Sequence, residues 1–241
     1  MLPLRDLNPT RRVPIITYGL IAINLIVFVM QLSMSQAQLQ QIFTDQAVVP
    51  ALAAAHPFAL ETILDVIRSM FFHGGWEHIL GNMLYLWLFG DNIEDRFGKI
   101  MYLIVYFAGG FIAAGAQVII DPTSTVPLIG ASGAIAAVLG CYFVLYPGVR
   151  VQGIIPLGLF SSLHSWPAWA VLGLWFVLQI FSGFGSLGTD AQYGGGVAFF
   201  AHIGGFVFGA IVAFIFSRIV PQPPADERYQ TLYDRSKRYR Y

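Results

Sequence analysis

Charge is scarce in this chain. Asp, Glu, Lys and Arg make up 11% of 241 residues, the formal net charge is zero, and there is one cysteine. So little charge excludes a water-soluble domain of ordinary composition. The 13 Lys and Arg residues fall mostly in short clusters between apolar runs, which excludes a nucleic-acid-binding face, and no nucleic-acid partner is expected. The single cysteine, Cys141, sits inside an apolar run, so the chain has neither a disulfide framework nor a thiolate metal site, and Cys141 reads as a small core residue. What the chain has in plenty is apolar side chains: 56% of residues are hydrophobic and 15% aromatic, the composition of a membrane protein.

Runs approaching the roughly 20 apolar residues that cross a hydrocarbon layer lie at 14–34, 78–90, 100–120, 130–146, 166–184 and 197–220. The expectation is an all-α integral membrane protein with a bundle of six transmembrane helices. The second and fourth runs are short and carry polar residues near one end, which predicts burial among other helices rather than contact with lipid. With the N-terminus placed in the cytoplasm, Arg5, Arg11, Arg12, Arg96, Lys99, Arg150, Arg218, Arg228, Arg235, Lys237, Arg238 and Arg240 all fall inside and only Arg68 falls outside. That asymmetry puts both termini on the cytoplasmic side, and a prokaryotic plasma membrane is the expected location. The "SQAQ" after the first run is a poor cleavage site, and the run is too long for the core of a signal peptide.

Between the first two runs, "ALETILDVIRSMFF" places Leu60, Ile63, Leu64, Ile67 and Phe71 at i, i+3, i+4 spacing opposite Glu61, Asp65 and Arg68. This predicts an amphipathic helix lying in the membrane interface, within the first outer loop. The division expected is a cytoplasmic segment over 1–13, a membrane domain over 14–220 and a tail over 221–241. The tail has no apolar face to bury and is expected to be flexible on the cytoplasmic membrane surface.

Direction fixes depth. Ser132 in "IGASGAIAAVLG" falls near the outer end of the fourth helix, and His202 about one turn into the sixth from the same side. His78 and Asn82, four apart in "WEHILGNM", open the second helix at that level and share one face. Gly133 and Gly140 on the fourth helix, with Gly205 and Gly209 on the sixth, offer small surfaces on which two backbones can touch, and Gly130, just before the serine, is expected to join them in packing helices at the site. Close contact brings Ser132 within reach of His202. A serine hydroxyl becomes a useful nucleophile when a neutral imidazole takes its proton, so two residues suffice for an acyl-transfer centre. The N–H of Ser132 at a helix start, with Asn82 and His78 as side-chain donors, then faces the developing oxyanion.

These residues resemble the rhomboid intramembrane serine proteases over about 14–220. The resemblance rests on "GASG" around Ser132, "HILGN" with His78 and Asn82, "AHIGGFVFG" with His202, the lead-in "FFHGGWEH" and the "IEDRFG" that follows. It implies Ser132 as nucleophile, His202 as general base and then acid, and Asn82 and His78 at the oxyanion. It also implies membrane proteins as substrates, cut near the outer face of the bilayer, with no cofactor and no metal. Two departures stand out. Some members carry an aromatic four residues after the serine, packed on the histidine, where this chain has Ala136; the Trp-Arg pair of some outer loops is reduced to Arg68 in "DVIRSMFF".

Other readings stand beside this one. Ser132 alone would bond back to a carbonyl one turn earlier, His202 alone would bridge helices, Asn82 would glue them and His78 would cap one. A non-catalytic relative that binds membrane helices is the main alternative. A transporter would spread polar groups through the full depth rather than on one side. His73 with Glu77 and His78 misses helical zinc spacing, and Gly74-Gly75 interrupts the helix. His164 falls in a cytoplasmic loop, His56 in the outer one, and Glu94 and Arg96 in a structural turn.

Overall fold

The structure, a computed structural model, describes residues 2–155, 162–187 and 197–221. The expected tail therefore lies outside the described residues beyond Pro221. The chain is mostly helical, and among the described residues four helices are long and apolar enough to cross a membrane: α1 (Ile15–Leu32), α6 (Lys99–Ile120), α8 (Ala168–Ser186) and α9 (Phe199–Ile219). Between them run α2 (Gln36–Gln46), α3 (Pro50–Ala55), α4 (Leu60–Ser69), α5 (Trp76–Phe97) and α7 (Ser132–Leu145).

The segment between the first two apolar runs holds more order than its sequence suggested. The "SQAQ" stretch is a capping box that starts α2: Ser35 Oγ accepts from Gln38 N at 3.3 Å while Gln38 Oε1 accepts from Ser35 N at 2.9 Å. On α4, Arg68 joins Glu61 at 2.8 Å and Asp65 at 2.9 Å on the polar face, while Leu60 and Ile63 are exposed on the apolar one. Buried Ser69 ties the end of α4 inward, its Oγ accepting from Val48 N at 2.8 Å and its carbonyl from Gly130 N at 2.8 Å.

α5 runs through the segment read as a turn, so Glu94 and Arg96 are corrected to its last helical residues. A short apolar stretch followed by charge looks like a helix end until the charges are given partners. Buried Glu94 has them at the start of α1, accepting from Ile16 N at 3.0 Å, Thr17 N at 2.8 Å and Thr17 Oγ1 at 2.9 Å. These are the N–H groups a helix start leaves unpaired, and a carboxylate there also meets the positive end of the helix dipole.

α7 is the centre of the bundle: Gly133 through Tyr142 are all buried. Glycines let α9 reach it. A Cβ on Gly205 would overlap the Gly133 carbonyl, one on Gly209 the Ala137 carbonyl, and one on Gly140 the Phe206 carbonyl. Backbone thus lies on backbone at three levels, the arrangement that small residues allow between apolar helices.

The all-α expectation is corrected at the end of the bundle away from Ser132, where β1 (Leu2–Asp6), β2 (Arg150–Ile155) and β3 (Ser162–Pro167) form an antiparallel sheet in that order. β2 pairs with β3 from Arg150↔Pro167 to Ile155↔Ser162, and β1 joins β2 with a register shift between Pro3 and Arg5. Neither outer strand has the alternation that marks a half-buried strand, and β1 finds its partner about 150 residues away. Trp166, read as the start of the fifth run, belongs to β3.

The sheet is fastened to α7 by Tyr142, whose hydroxyl donates to Asp6 Oδ2 at 2.7 Å. Burial and the neighbouring carboxylate of Asp91 push Asp6 up to about 7. The folded chain therefore keeps a proton on Asp6 that the unfolded chain has already lost, and this contribution to stability declines as pH rises from about 4 to about 7, then levels off. Asp6→Asn keeps an oxygen for Tyr142 and cannot ionise. Its unfolding midpoint in detergent should fall less than that of the wild type between about pH 5 and about pH 8, and an equal fall would show that Asp6 is not the group responsible.

Candidate active site

Ser132 is the first residue of α7, and its N–H, with those of Gly133 and Ala134, precedes the first helical bond, from Ile135 N to Ala131 O at 2.9 Å. The chain enters through Gly130 at φ 113°, left-handed backbone that glycine adopts without strain. Gly130 faces the start of α5 rather than α9: a Cβ there would lie 2.5 Å from His78 Nε2 and 3.5 Å from Asn82 Nδ2. The residue expected to help pack helices instead lets the chain entering α7 lie against the two polar groups of α5.

His202, in the first turn of α9, has Nε2 2.8 Å from Ser132 Oγ and Nδ1 2.8 Å from Gln179 Oε1. An amide oxygen only accepts, so Nδ1 carries the imidazole proton and Nε2 presents its lone pair to the serine hydroxyl. The Trp175 ring, one turn before Gln179 on α8, lies 5.9 Å from the His202 ring, inclined by 35°. Two residues of α8 therefore contact the imidazole that Ala136 is too small to hold. α9 itself is braced by α6, where Gln117 Oε1 accepts from Phe200 N at 3.2 Å and Ala201 N at 3.3 Å.

At the start of α5, the hydrogen-bond partners of each side chain fix which of its atoms can donate. Gly74 N donates to His78 Nδ1 at 3.3 Å, so in neutral His78 the proton is on Nε2, the atom facing Gly130. Buried Asn82 gives one Nδ2 proton to His73 Nε2 at 2.9 Å, and the amide nitrogen carries a second. His73 in turn donates from Nδ1 to the Phe71 carbonyl at 3.2 Å. Burial and the neighbouring His78 push His73 down to about 4, so it stays neutral and keeps Nε2 as an acceptor. Gln31 of α1 clamps the backbone of His73 on both sides, donating to its carbonyl at 3.0 Å and accepting from its N–H at 3.1 Å.

Ser132 Oγ thus meets His202 Nε2, while Gly130, two residues before the serine, lies against His78 Nε2 and Asn82 Nδ2. Ser132 and His202 are partly accessible and Asn82 is buried. His164 lies on β3 at the opposite end, and His56 is exposed at the end of α3. Sequence reasoning weighed His73 only as a metal ligand and passed over Gln31, Gln117 and Gln179. Each glutamine is a polar residue within an apolar run, the one signal that marks a span position turned toward protein rather than lipid.

A family model for the Rhomboid domain matches residues 61–219, about two thirds of the chain. Rhomboid protein 1, mitochondrial, of Saccharomyces cerevisiae is 26% identical over 164 residues, 65% of this chain and 43% of its own length. Putative rhomboid protease YdcA of Bacillus subtilis is 32% identical over 80 residues, 33% of this chain and 40% of its own. Rhomboid-related protein 2 of Mus musculus is 32% identical over 107 residues, 44% of this chain and 35% of its own. The chain spans less than half the length of each of these relatives. With one family model covering most of its membrane helices and the same family named in each of these relatives, the chain is an integral membrane protein that belongs to the rhomboid family.

Proposed function

We propose that this protein is an intramembrane serine endopeptidase that cuts membrane proteins in or beside their spanning segments, using Ser132 as nucleophile and His202 as base. The observation that carries this reading is the 2.8 Å contact between Ser132 Oγ and an imidazole nitrogen whose partner nitrogen already holds the proton. In the reaction the Ser132 hydroxyl adds to a substrate carbonyl as its proton passes to His202 Nε2. The oxyanion is met by the Ser132 N–H, His78 Nε2–H and the second Nδ2 proton of Asn82. Collapse expels the amine with the proton from Nε2, and water repeats the sequence to release the acyl group.

We further read α1, α5, α6, α7, α8 and α9 as six spans of one membrane domain over 14–220, with α4 in the interface. Arg5, Arg11, Arg12, Arg96, Lys99, Arg150 and Arg218 lie toward the sheet end and Arg68 toward the site end, which supports a cytoplasmic sheet and an outward-facing site. The 14 residues of α7 rise about 21 Å, short of the roughly 30 Å of a hydrocarbon core, which supports a nucleophile recessed below the outer surface. A substrate helix keeps its carbonyls bonded, so it has to unwind before Ser132 can reach one, and helix-breaking residues near the cut should favour cleavage.

The test is covalent labelling of detergent-solubilised protein with a fluorophosphonate. Attachment at Ser132, located by peptide mass spectrometry, is the expected result, because a serine without a positioned base reacts negligibly near neutral pH. Folded protein that stays unlabelled, while an active rhomboid protease in the same buffer is labelled, would replace this reading with helix binding alone.

A further inference from the structure

We infer that Gln179 is a positioning residue for His202, so that α8, a helix contributing no reacting group, holds the imidazole in the one tautomer that can accept the serine proton. The inference rests on the Ser132–His202 reading above.

Three observations carry it. Gln179 lies within the apolar run of α8, where a long amide side chain facing lipid would leave its polar groups unmet. Its Oε1 accepts from His202 Nδ1 at 2.8 Å, so the polar group has a specific partner. Trp175, four residues earlier and so on the same face, lies beside the His202 ring, and Phe176 stacks on Phe206 of α9 at 4.4 Å and 19°. α8 is thereby seated on α9 at the level of the histidine, with Gln179 held to the ring edge and Trp175 to its side.

The chemistry needs this. A neutral imidazole interconverts between two tautomers, and only the one protonated on Nδ1 can accept at Nε2. With Nδ1 unpartnered, the imidazole also populates the tautomer that points a proton at the serine, which is unreactive as a base. Gln179 removes that population. An amide cannot become charged, so it orients the ring without providing an anion for the imidazolium. Gln179 is therefore an orienter, a lesser device than the carboxylate that performs this task in soluble serine proteases.

The experiment compares rates of fluorophosphonate labelling for the wild type, Gln179→Leu, Gln179→Glu and Leu178→Ala, with an unfolding midpoint for each. Leucine suits an apolar helix and removes the acceptor. It should lower the rate about 10- to 100-fold at the pH plateau, with the midpoint little changed. Glutamate restores an oxygen that accepts from Nδ1–H whether or not it is ionised, and should return the rate to within about threefold of wild type. Leu178 is exposed on the outer side of α8, and its variant should label like wild type. Selective ¹⁵N labelling of histidine gives a readout independent of reactivity: His202 should show a protonated Nδ1 in the wild type and a tautomer mixture in Gln179→Leu. A Gln179→Leu rate within twofold of wild type, or a Gln179→Glu rate as slow as that of the leucine variant, overturns the inference and leaves the protease reading standing. A wild type that takes no label overturns both.

Discussion

Ser132→Ala should abolish cleavage of a membrane-spanning substrate in proteoliposomes, and His202→Ala should lower it by a similar factor, on the order of 10⁶. In the proposed mechanism nucleophile and base act as one unit, because the hydroxyl attacks only as its proton leaves for Nε2, 2.8 Å away. Removing either removes the same step, so the double variant should be no slower than each single one. That non-additivity separates a catalytic pair from two residues that merely support the bundle, whose losses would accumulate. Both variants should stay folded: each side chain is only partly buried, and the α7–α9 contact rests on glycine backbones rather than on the pair. Cleavage products counted by mass spectrometry give the readout. Turnover by Ser132→Ala above the substrate-only control would remove Ser132 from the chemistry.

Asn82→Ala should lower the turnover number by about 10² to 10³, with the Michaelis constant nearly unchanged. In the proposed mechanism its second Nδ2 proton meets the carbonyl oxygen as that atom gains charge, and such a donor counts for more in the transition state than in the bound substrate. Its other proton is committed to His73, which keeps the amide from turning away. Loss of stability is the competing explanation, since one polar contact between membrane helices contributes about 0.6 kcal/mol on average. A melting measurement on the same variant separates the two. An unfolding midpoint close to wild type with turnover reduced a hundredfold assigns Asn82 to the oxyanion, whereas equal turnover would make it a structural link between His73 and α5.

Most departures from the sequence reading share a cause. The exception is the "SQAQ" capping box, which is legible in the sequence because Ser35 and Gln38 have the three-residue spacing the motif requires. Glu94 looked like turn chemistry since its partners, the N–H groups of Ile16 and Thr17, are almost 80 residues away. Gly130 was grouped with the packing glycines, yet its positive φ and its closeness to His78 belong to the entry into α7. For Glu94 and Gly130 residue type was informative and the partner was not.

By itself the sequence determined the solvent of this protein and the level of its polar groups. Apolar run length is a one-dimensional property, so the ends of α1, α6, α7, α8 and α9 fall within two residues of the runs read from composition. Depth along a span is equally one-dimensional, so Ser132, His202, His78 and Asn82 could be placed at one end before any helix was packed. Azimuth is different: which face of a helix meets which neighbour depends on the whole bundle. Only the tertiary structure decided that Gln179 and Trp175 turn toward His202, that His73 occupies one proton of Asn82, and that β1 reaches β2 and Tyr142. Hydrogen bonds are short and directional, and those partners lie on different elements, so the chain has to be folded before their pairing exists.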